Sequence, residues 1–289
     1  MILQFVINGV ITGILYSLLA IGFALVYNTT KVFHIAAAAL YVFAAYLFYF
    51  FTITLEIPVI LAVVISLLFT SWLSLLMDVS VYRPLDRRGA SSDIVMIASI
   101  GMMTVVINLL VIVFGSDAKV VRDSASNVIS FLGVQLATPQ LIQAIIGGGS
   151  LILFLLFLGN TRWGLHLRAL SSGKTLYCLL GHNPVPARNV IFLASGAFIA
   201  LSSCLSVYDL GIDAHMGMDM LVNAMVAMIL GGAGRFGACA IGGISLGLLQ
   251  SLSVFFFSSH WESAITFALL LLLLFLRPQG ILGYKERRV

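Results

Sequence analysis

The stretch ILQFVINGVITGILYSLLAIGFALVY, residues 2–27, contains no charged side chain. An α-helix rises about 1.5 Å per residue, so about 20 apolar residues cross the roughly 30 Å hydrocarbon core of a bilayer. The stretch is too long for the core of a signal peptide, and it has neither a basic start nor a small-residue cleavage site. We therefore expect a retained first transmembrane helix.

Similar apolar runs recur along the whole 289-residue chain, which is 61% hydrophobic and only 9% charged. A soluble fold of this size has no interior large enough to hide so much apolar surface, so lipid must surround the protein. We expect an all-α bundle of about nine transmembrane helices (eight to ten), built as a single membrane domain over residues 1–289. The expected spans are 2–27, 33–54, 57–77, 93–115, 140–160, 189–208, 219–232, 239–258 and 263–277.

The loops between these runs differ in charge, which sets the orientation. If the loop 78–92 is cytoplasmic, alternation leaves only Lys119 and Arg122, of 15 Lys and Arg, on the outer side. Because basic loops stay in the cytoplasm, we expect the N-terminus outside and the C-terminus inside a bacterial inner (plasma) membrane. The net charge of +4 is scattered singly and does not indicate a nucleic-acid partner.

The inner loop 161–188 has the pattern of a short amphipathic helix. Its leucines lie at helical spacing, after two serines that can cap a helix and before a glycine and a proline that can end one. These residues are Ser171, Ser172, Leu176, Leu179, Leu180, Gly181 and Pro184. We expect this helix to be presented to the cytoplasm between two spans.

Glycines recur at close spacing in three places. Gly9 with Gly13, and Gly243 with Gly247, are four residues apart, a spacing that lets helix backbones approach closely in lipid. The two stretches resemble each other and run in opposite directions in the expected topology. Both an inverted repeat and, as the favoured alternative, two unrelated helices with the same packing motif fit this pattern.

The glycine-rich stretch 231–237 lies between two apolar segments on the cytoplasmic side. Its glycines allow a re-entrant turn or hinge, and equally a short helix–helix turn, because glycine adopts positive φ freely. The candidate hinge residues are Gly231, Gly232, Gly234 and Gly237.

Enzymatic and metal chemistry is not indicated. Gly173-Lys174-Thr175 resembles the end of a P-loop, but position 168 is Arg where the motif needs Gly, and a preceding strand is not expected. The His and Cys spacings fit no metal site. We expect no catalytic residue, cofactor or metal in this chain, and the lack of a carboxylate centred in a span argues against an ion-driven transporter.

Neutral polar side chains within the spans suit a pathway for a polar, uncharged or zwitterionic solute, although for each of them a hydrogen bond between helices is the favoured explanation. The candidate pathway residues are Tyr16, His34, Tyr41, Asn108 and Asn223.

Four segments in order along the chain resemble the permease family of branched-chain amino acid ABC importers. They are 8–25, then 82–85 with 99–101, then 168–181 with the glycine-rich 231–247, and finally the terminal RPQGILG, 277–283. The resemblance implies a second, homologous permease subunit, two cytoplasmic ATPases that bind ATP and Mg, and a periplasmic solute-binding protein. It also implies that the loop 161–188 docks on the ATPase, through Arg168, Ser171, Ser172, Lys174, Tyr177, Leu179, Leu180 and Gly181.

One departure concerns the solute. Where the family carries an Asn-Phe-Ala-His-Gly-Glu-like stretch, this chain reads HIAAAA at 34–39, and Gln250 replaces the family's acidic residue. Branched-chain amino acids are the leading expectation. The alternatives are a stand-alone channel or facilitator for a neutral solute such as urea or a short amide, and a scaffold subunit without flux.

Overall fold

The computed structural model describes residues 2–121, 128–131, 134–232, 234–256 and 261–276. The terminal segment 277–283 and Arg122 therefore lie outside the described residues. In chain order the helices are α1 (Ile2–Thr30), α2 (Ala37–Thr54), α3 (Val59–Arg87), α4 (Ser92–Phe114), α5 (Thr138–Asn160), α6 (Arg162–Ser172), α7 (Lys174–Leu179), α8 (Pro184–Leu210), α9 (Met216–Gly231), α10 (Phe236–Phe256) and α11 (Glu262–Leu276).

The expected helical membrane bundle is confirmed. Seven of the helices, α1 to α5, α8 and α10, are long and apolar enough to cross a bilayer. The shorter apolar helices α9 and α11 occupy the two other expected runs. Each apolar run in the sequence thus contains a helix, and α6 and α7 lie in the expected inner loop.

Helix α1 lies at the centre of the bundle and is buried along most of its length. Serines from its neighbours bond to its backbone: Ser202 Oγ donates to the Leu15 carbonyl at 2.9 Å, and Ser195 Oγ donates to Gly22 at 2.7 Å. On another side, Ser17 Oγ of α1 donates to the Ala240 carbonyl of α10 at 2.7 Å. Such bonds join helices in lipid, where apolar contact alone is a weak driving force.

The two glycine pairs pack directly against each other. A Cβ atom added to Gly13 would lie 2.7 Å from the Cα of Ile244, and one added to Gly9 would lie 3.0 Å from the Cα of Leu248. The residue further along α1 contacts the earlier residue of α10, since Gly9 meets Leu248 and Gly13 meets Ile244. The two helices are therefore antiparallel. Close backbone packing therefore accounts for both motifs, and an inverted repeat is not needed to explain them.

Helix α3 continues to Arg87, so the expected loop 78–92 was wrong in its first ten residues. A π-helical turn, Asp78–Tyr82, carries the helix through this polar segment. The helix persists because basic side chains neutralise Asp78, as described below. Two further π-helical turns, Phe50–Thr54 and Gln143–Gly147, lie in α2 and α5.

Segments expected on the outer side meet at one end of the bundle. The loop 116–139, which we expected to be weakly patterned, contains an antiparallel hairpin of β1 (Val128–Phe131) and β2 (Val134–Ala137). These four-residue strands are too short to be recognised from the sequence. Gln4 Nε2 donates to the Gln135 carbonyl at 2.7 Å, which joins the start of α1 to the hairpin. A single β-bridge joins Lys119 to Ile212.

Segments expected on the inner side meet at the opposite end. The end of α1, the end of α3, the helix α6 and the start of α8 surround one cavity of about 130 Å³. The described segments that we expect on the two sides of the membrane therefore lie at opposite ends of the bundle.

Candidate coupling surface and translocation face

The inner loop folds as a pair of short helices, α6 and α7, which we call the coupling hairpin. Thr161 caps α6, because its Oγ1 accepts a hydrogen bond from the Gly164 amide at 3.0 Å. Gly181, at φ +80°, follows the end of α7 as expected. Asn183 Oδ1 then accepts from the Val185 amide at 3.0 Å and caps α8.

Two details of the expected helix were wrong. Ser171 and Ser172 do not cap α7, since their hydroxyls donate to the Arg168 carbonyl at 2.8 and 2.9 Å in the last turn of α6. The first helix was missed because its cap, Thr161, stands ten residues before the serines. Pro184 begins α8 rather than only ending the preceding helix, and proline is tolerated in a first turn.

Aromatic contacts hold together the sides of α6 and α7 that face each other in the coupling hairpin. Tyr177 is buried, its hydroxyl lies 3.1 Å from His166 Nδ1, and its ring centroid lies 5.2 Å from that of His182. Leu167 and Leu170 of α6 are buried beneath it. Tyr177 therefore holds α7 against α6 and does not present its ring to a partner.

The surface of the coupling hairpin that faces away from the bundle exposes apolar side chains. Leu179 is 77% exposed and Leu180 is 66% exposed, and Cys178 beside them is also exposed. Lys174 begins α7, although its side chain lies outside the described part of the structure. Adjacent exposed leucines outside the hydrocarbon are a feature of surfaces that bind another protein.

A cavity of about 500 Å³ separates the coupling hairpin from the glycine-rich turn. Arg168, Ser171 and Ser172 line one wall, and Gly234 and Gly237 line the other. Three of the expected ATPase contacts and two of the expected hinge glycines thus line the same cavity.

The glycine-rich turn joins α9 tightly to α10. Gly232 and Gly234 have φ of +117° and +106°, which strongly favours glycine. Any Cβ on Gly231 would collide with the Ala238 carbonyl oxygen. This geometry is a helix–helix turn, and its use as a hinge stays a prediction.

A cluster of charges lies at the inner ends of α3 and α8. Asp78 is fully buried, and its carboxylate accepts from Arg83 Nε at 2.6 Å and from Arg188 Nε at 2.8 Å. Arg188 Nη1 also donates to Asp86 at 2.8 Å, and Arg83 contacts Asn189. Sequence reasoning missed this cluster because it placed Asp78 in a loop.

A second polar group joins the start of α2 to α3 and α4. The Tyr82 hydroxyl donates to Ser99 Oγ at 2.8 Å and lies 2.7 Å from Nδ1 of the fully buried His34. The Ala36 amide also donates to Ser99 Oγ at 2.8 Å. Burial lowers the pKa of His34 to about 3, so its ring is neutral at physiological pH.

The structure does not bring the five candidate pathway residues together. Tyr16, His34 and Tyr41 are buried inside the subunit. Asn223 is half-buried on α9, where its Oδ1 accepts from Gln250 Nε2 at 3.2 Å. Asn108 is exposed on α4.

Helix α4 is the least buried of the seven described helices that are long enough to cross a membrane. Its buried side chains are Val95, Ser99 and Leu110, and most of its other side chains are exposed or half-buried. Its open side carries Gly101, Thr104 and Asn108 at helical spacing. The same open side also carries large apolar residues such as Ile97 and Ile112, as the open side of α3 carries Leu68, Phe69 and Trp72.

A family model described as the permease component of the branched-chain amino acid transport system matches residues 5–274. The chain belongs to this family. The resemblance found in the sequence is thereby confirmed, and the protein is a multi-pass membrane permease subunit.

Full-length relatives of this permease agree with the family assignment. It is 28% identical to the high-affinity branched-chain amino acid transport system permease protein BraD of Pseudomonas aeruginosa, with 98% of this chain and 96% of BraD covered. It is 27% identical to LivH of Escherichia coli, a permease protein of the same description, with the same coverage.

A solved structure supports the fold. The permease resembles PsaBC from Streptococcus pneumoniae in complex with Fab, with a TM-score of 0.54 and 13% identity over 96% of this chain and 93% of that chain. At this identity the likeness shows a shared helical architecture and nothing about the solute.

Proposed function

We propose that this permease is the membrane-spanning subunit of an ATP-binding-cassette importer in a bacterial inner membrane, and that its solute is a branched-chain amino acid. The observation that carries the proposal is the exposed pair Leu179 and Leu180 at the end of the coupling hairpin. A rigid element with an apolar tip, at the end of the bundle with the basic loops, suits docking on a cytoplasmic subunit.

In this proposal ATP and Mg bind to two ATPase subunits, and this chain binds neither. The basic residue Arg168 and the two leucines contact the ATPase, and Tyr177 with His166 keeps the coupling hairpin rigid enough to transmit its movement. Movement of whole helices then opens the pathway alternately to either side.

A second, homologous permease subunit completes the pathway. A single copy leaves Gly101, Thr104 and Asn108 on the open face of α4, where a polar amide facing lipid carries a free-energy cost. We place this face on the pathway between the two subunits. A periplasmic solute-binding protein delivers the solute to the opposite end.

Branched-chain amino acids fit this arrangement. The departure at 34–39 lies in the interior, since His34 and Ala36–Ala39 are at most 1% exposed. The change therefore alters packing inside the subunit and leaves the open face of α4 untouched. That face combines neutral polar groups with aliphatic side chains, as a zwitterionic amino acid with an aliphatic side chain requires.

Uptake in proteoliposomes tests the proposal. The permease is reconstituted with its second permease subunit, the ATPases and the binding protein, and uptake of labelled leucine is measured with and without ATP. We expect uptake only with ATP and the binding protein. Solute flux through this chain alone, insensitive to ATP, would instead show a channel or facilitator.

A further inference from the structure

Arg188 lies near one of the two points where the coupling hairpin joins the bundle. Helix α8 begins at Pro184, five residues after α7 ends, and Arg188 lies one turn into α8. The Asn183 cap and the proline fix the direction of this first turn. A displacement of the coupling hairpin therefore shifts Arg188 directly.

Asp78 converts a shift of Arg188 into a shift of α3. Its buried carboxylate is held by Arg188 and Arg83 within 2.8 Å. Leaving either a buried carboxylate or its guanidinium partner unpaired is costly, so the two groups stay together when one of them moves. The Arg188–Asp78 contact thus behaves as a joint between α8 and α3.

Asp78 and Tyr82 are the first and last residues of the same π-helical turn. A turn of this kind is a local irregularity that can rearrange without unwinding the helix, and such turns are frequent at functional sites. At the end of this turn, the Tyr82 hydroxyl donates a hydrogen bond to Ser99 Oγ of α4. Ser99 Oγ also accepts a hydrogen bond from the Ala36 amide in the α1–α2 connection.

Ser99 lies on the buried side of α4, opposite the open face that carries Gly101, Thr104 and Asn108. Two polar contacts, Arg188 with Asp78 and Tyr82 with Ser99, are linked through the π-helical turn of α3 and form a series between the coupling hairpin and the helix that we place on the pathway. The series uses only three side chains between the two elements: Arg188, Asp78 and Tyr82.

We propose that this series transmits movement of the coupling hairpin to α4, and that Arg188, Asp78 and Tyr82 are positioning residues of the transport cycle. The inference rests on the proposed function, because it requires an ATPase that moves the coupling hairpin. A purely stabilising cluster would hold the subunit together without affecting how ATP hydrolysis responds to solute.

The test compares ATP hydrolysis and leucine uptake in the reconstituted importer. Tyr82→Phe removes a single oxygen atom, and Arg188→Gln removes the charge at the other end of the series. Ser80→Ala is the matched control, because Ser80 lies in the same π-helical turn but is exposed and bonds only to Leu76 of its own helix. The double variant Tyr82→Phe with Arg188→Gln completes a double-mutant cycle, which measures whether the effects of the two changes are independent.

We expect Tyr82→Phe to retain the bound ATPases and the basal hydrolysis rate but to lower solute-stimulated hydrolysis and uptake at least about fivefold, the lower range of energetic coupling between sites. Arg188→Gln should act in the same direction. The double variant should lose no more than the more affected single variant, because both changes interrupt one series. Ser80→Ala should match the unmodified protein.

Three results would each overturn a particular claim. If Tyr82→Phe keeps full solute stimulation, or if the two losses simply multiply in the double variant, the proposed transmission is wrong. If the unmodified chain fails to bind any ATPase, the proposed function itself is wrong, and the two failures are therefore distinguishable.

Discussion

Gly247 of α10 lies directly against the backbone of Gly13 of α1, so that the two helices touch without an intervening side chain. The contact joins the central helix to a neighbour that runs in the opposite direction. Any Cβ at position 247 would overlap the main chain of α1, and main-chain atoms cannot move aside as the end of a flexible side chain can.

The first prediction concerns this contact. Gly247→Ala should destabilise the permease by about 1–3 kcal/mol, the usual cost of overpacking a well-packed contact. Gly149→Ala is the control, because nothing lies within 4 Å of a Cβ at that position. The control should be neutral or slightly stabilising, since alanine favours a helix. Thermal unfolding in detergent measures both, and equal melting temperatures would contradict the packing account.

The second prediction concerns acid stability. The pKa of buried His34 is about 3, well below its ordinary value of 6.5, so the unfolded chain binds a proton that the folded chain excludes. Stability is therefore fully present above about pH 6.5 and should fall as the pH drops towards 3. His34→Gln should flatten this fall, and a change at exposed His215 should not. Melting temperatures between pH 7 and pH 5 test it, and identical slopes for all three proteins would argue against a buried neutral ring.

The third prediction concerns the coupling hairpin. Replacing Leu179 and Leu180 together by Asp should abolish co-purification of the ATPase, because charges would replace the apolar contact. Leu210→Asp, at a leucine that is 74% exposed at the opposite end of the bundle, is the control and should retain the ATPase. Retention by the Leu179 and Leu180 variant would rule out this docking surface.

The fourth prediction concerns the open face of α4. In a background where exposed Cys178 is replaced by Ser, Thr104→Cys should react with a small charged thiol reagent, and leucine should slow the reaction. Leu68→Cys, on the lipid-facing side of α3, is the control and should react slowly, since charged reagents need water. Equal rates at the two positions would place Thr104 in lipid instead.

Much of the fold could be predicted because lipid imposes it. In lipid, backbone groups must form hydrogen bonds within a helix, and each apolar run is about as long as one membrane crossing. The helices therefore coincide with the apolar runs of the sequence. The glycines at positions 9, 13, 243 and 247 also predicted close helix packing, because close approach of backbones excludes larger residues, but the sequence did not show that the two pairs contact each other.

The candidate site was harder to predict because its polar residues act through partners distant in sequence. Asp78 read as a loop residue, since nothing nearby in the sequence shows that Arg188, 110 positions later, neutralises it. Tyr16 and Tyr41 read as pathway residues because a polar side chain in an apolar run gives no sign of which way it faces. Only packing distinguishes them from Asn108, which lies on an open face.

The proposed function depends on a cytoplasmic location for the coupling hairpin, and a native cysteine of the hairpin can test that location. Cys178 is exposed on α7, whereas Cys204 and Cys239 are buried. A membrane-impermeant maleimide applied to the permease, expressed without its ATPases, should label Cys178 in inverted membrane vesicles and leave it unlabelled in intact spheroplasts, and Cys178→Ser should abolish the signal. Labelling of Cys178 in intact spheroplasts would place the coupling hairpin outside the cell and contradict the account.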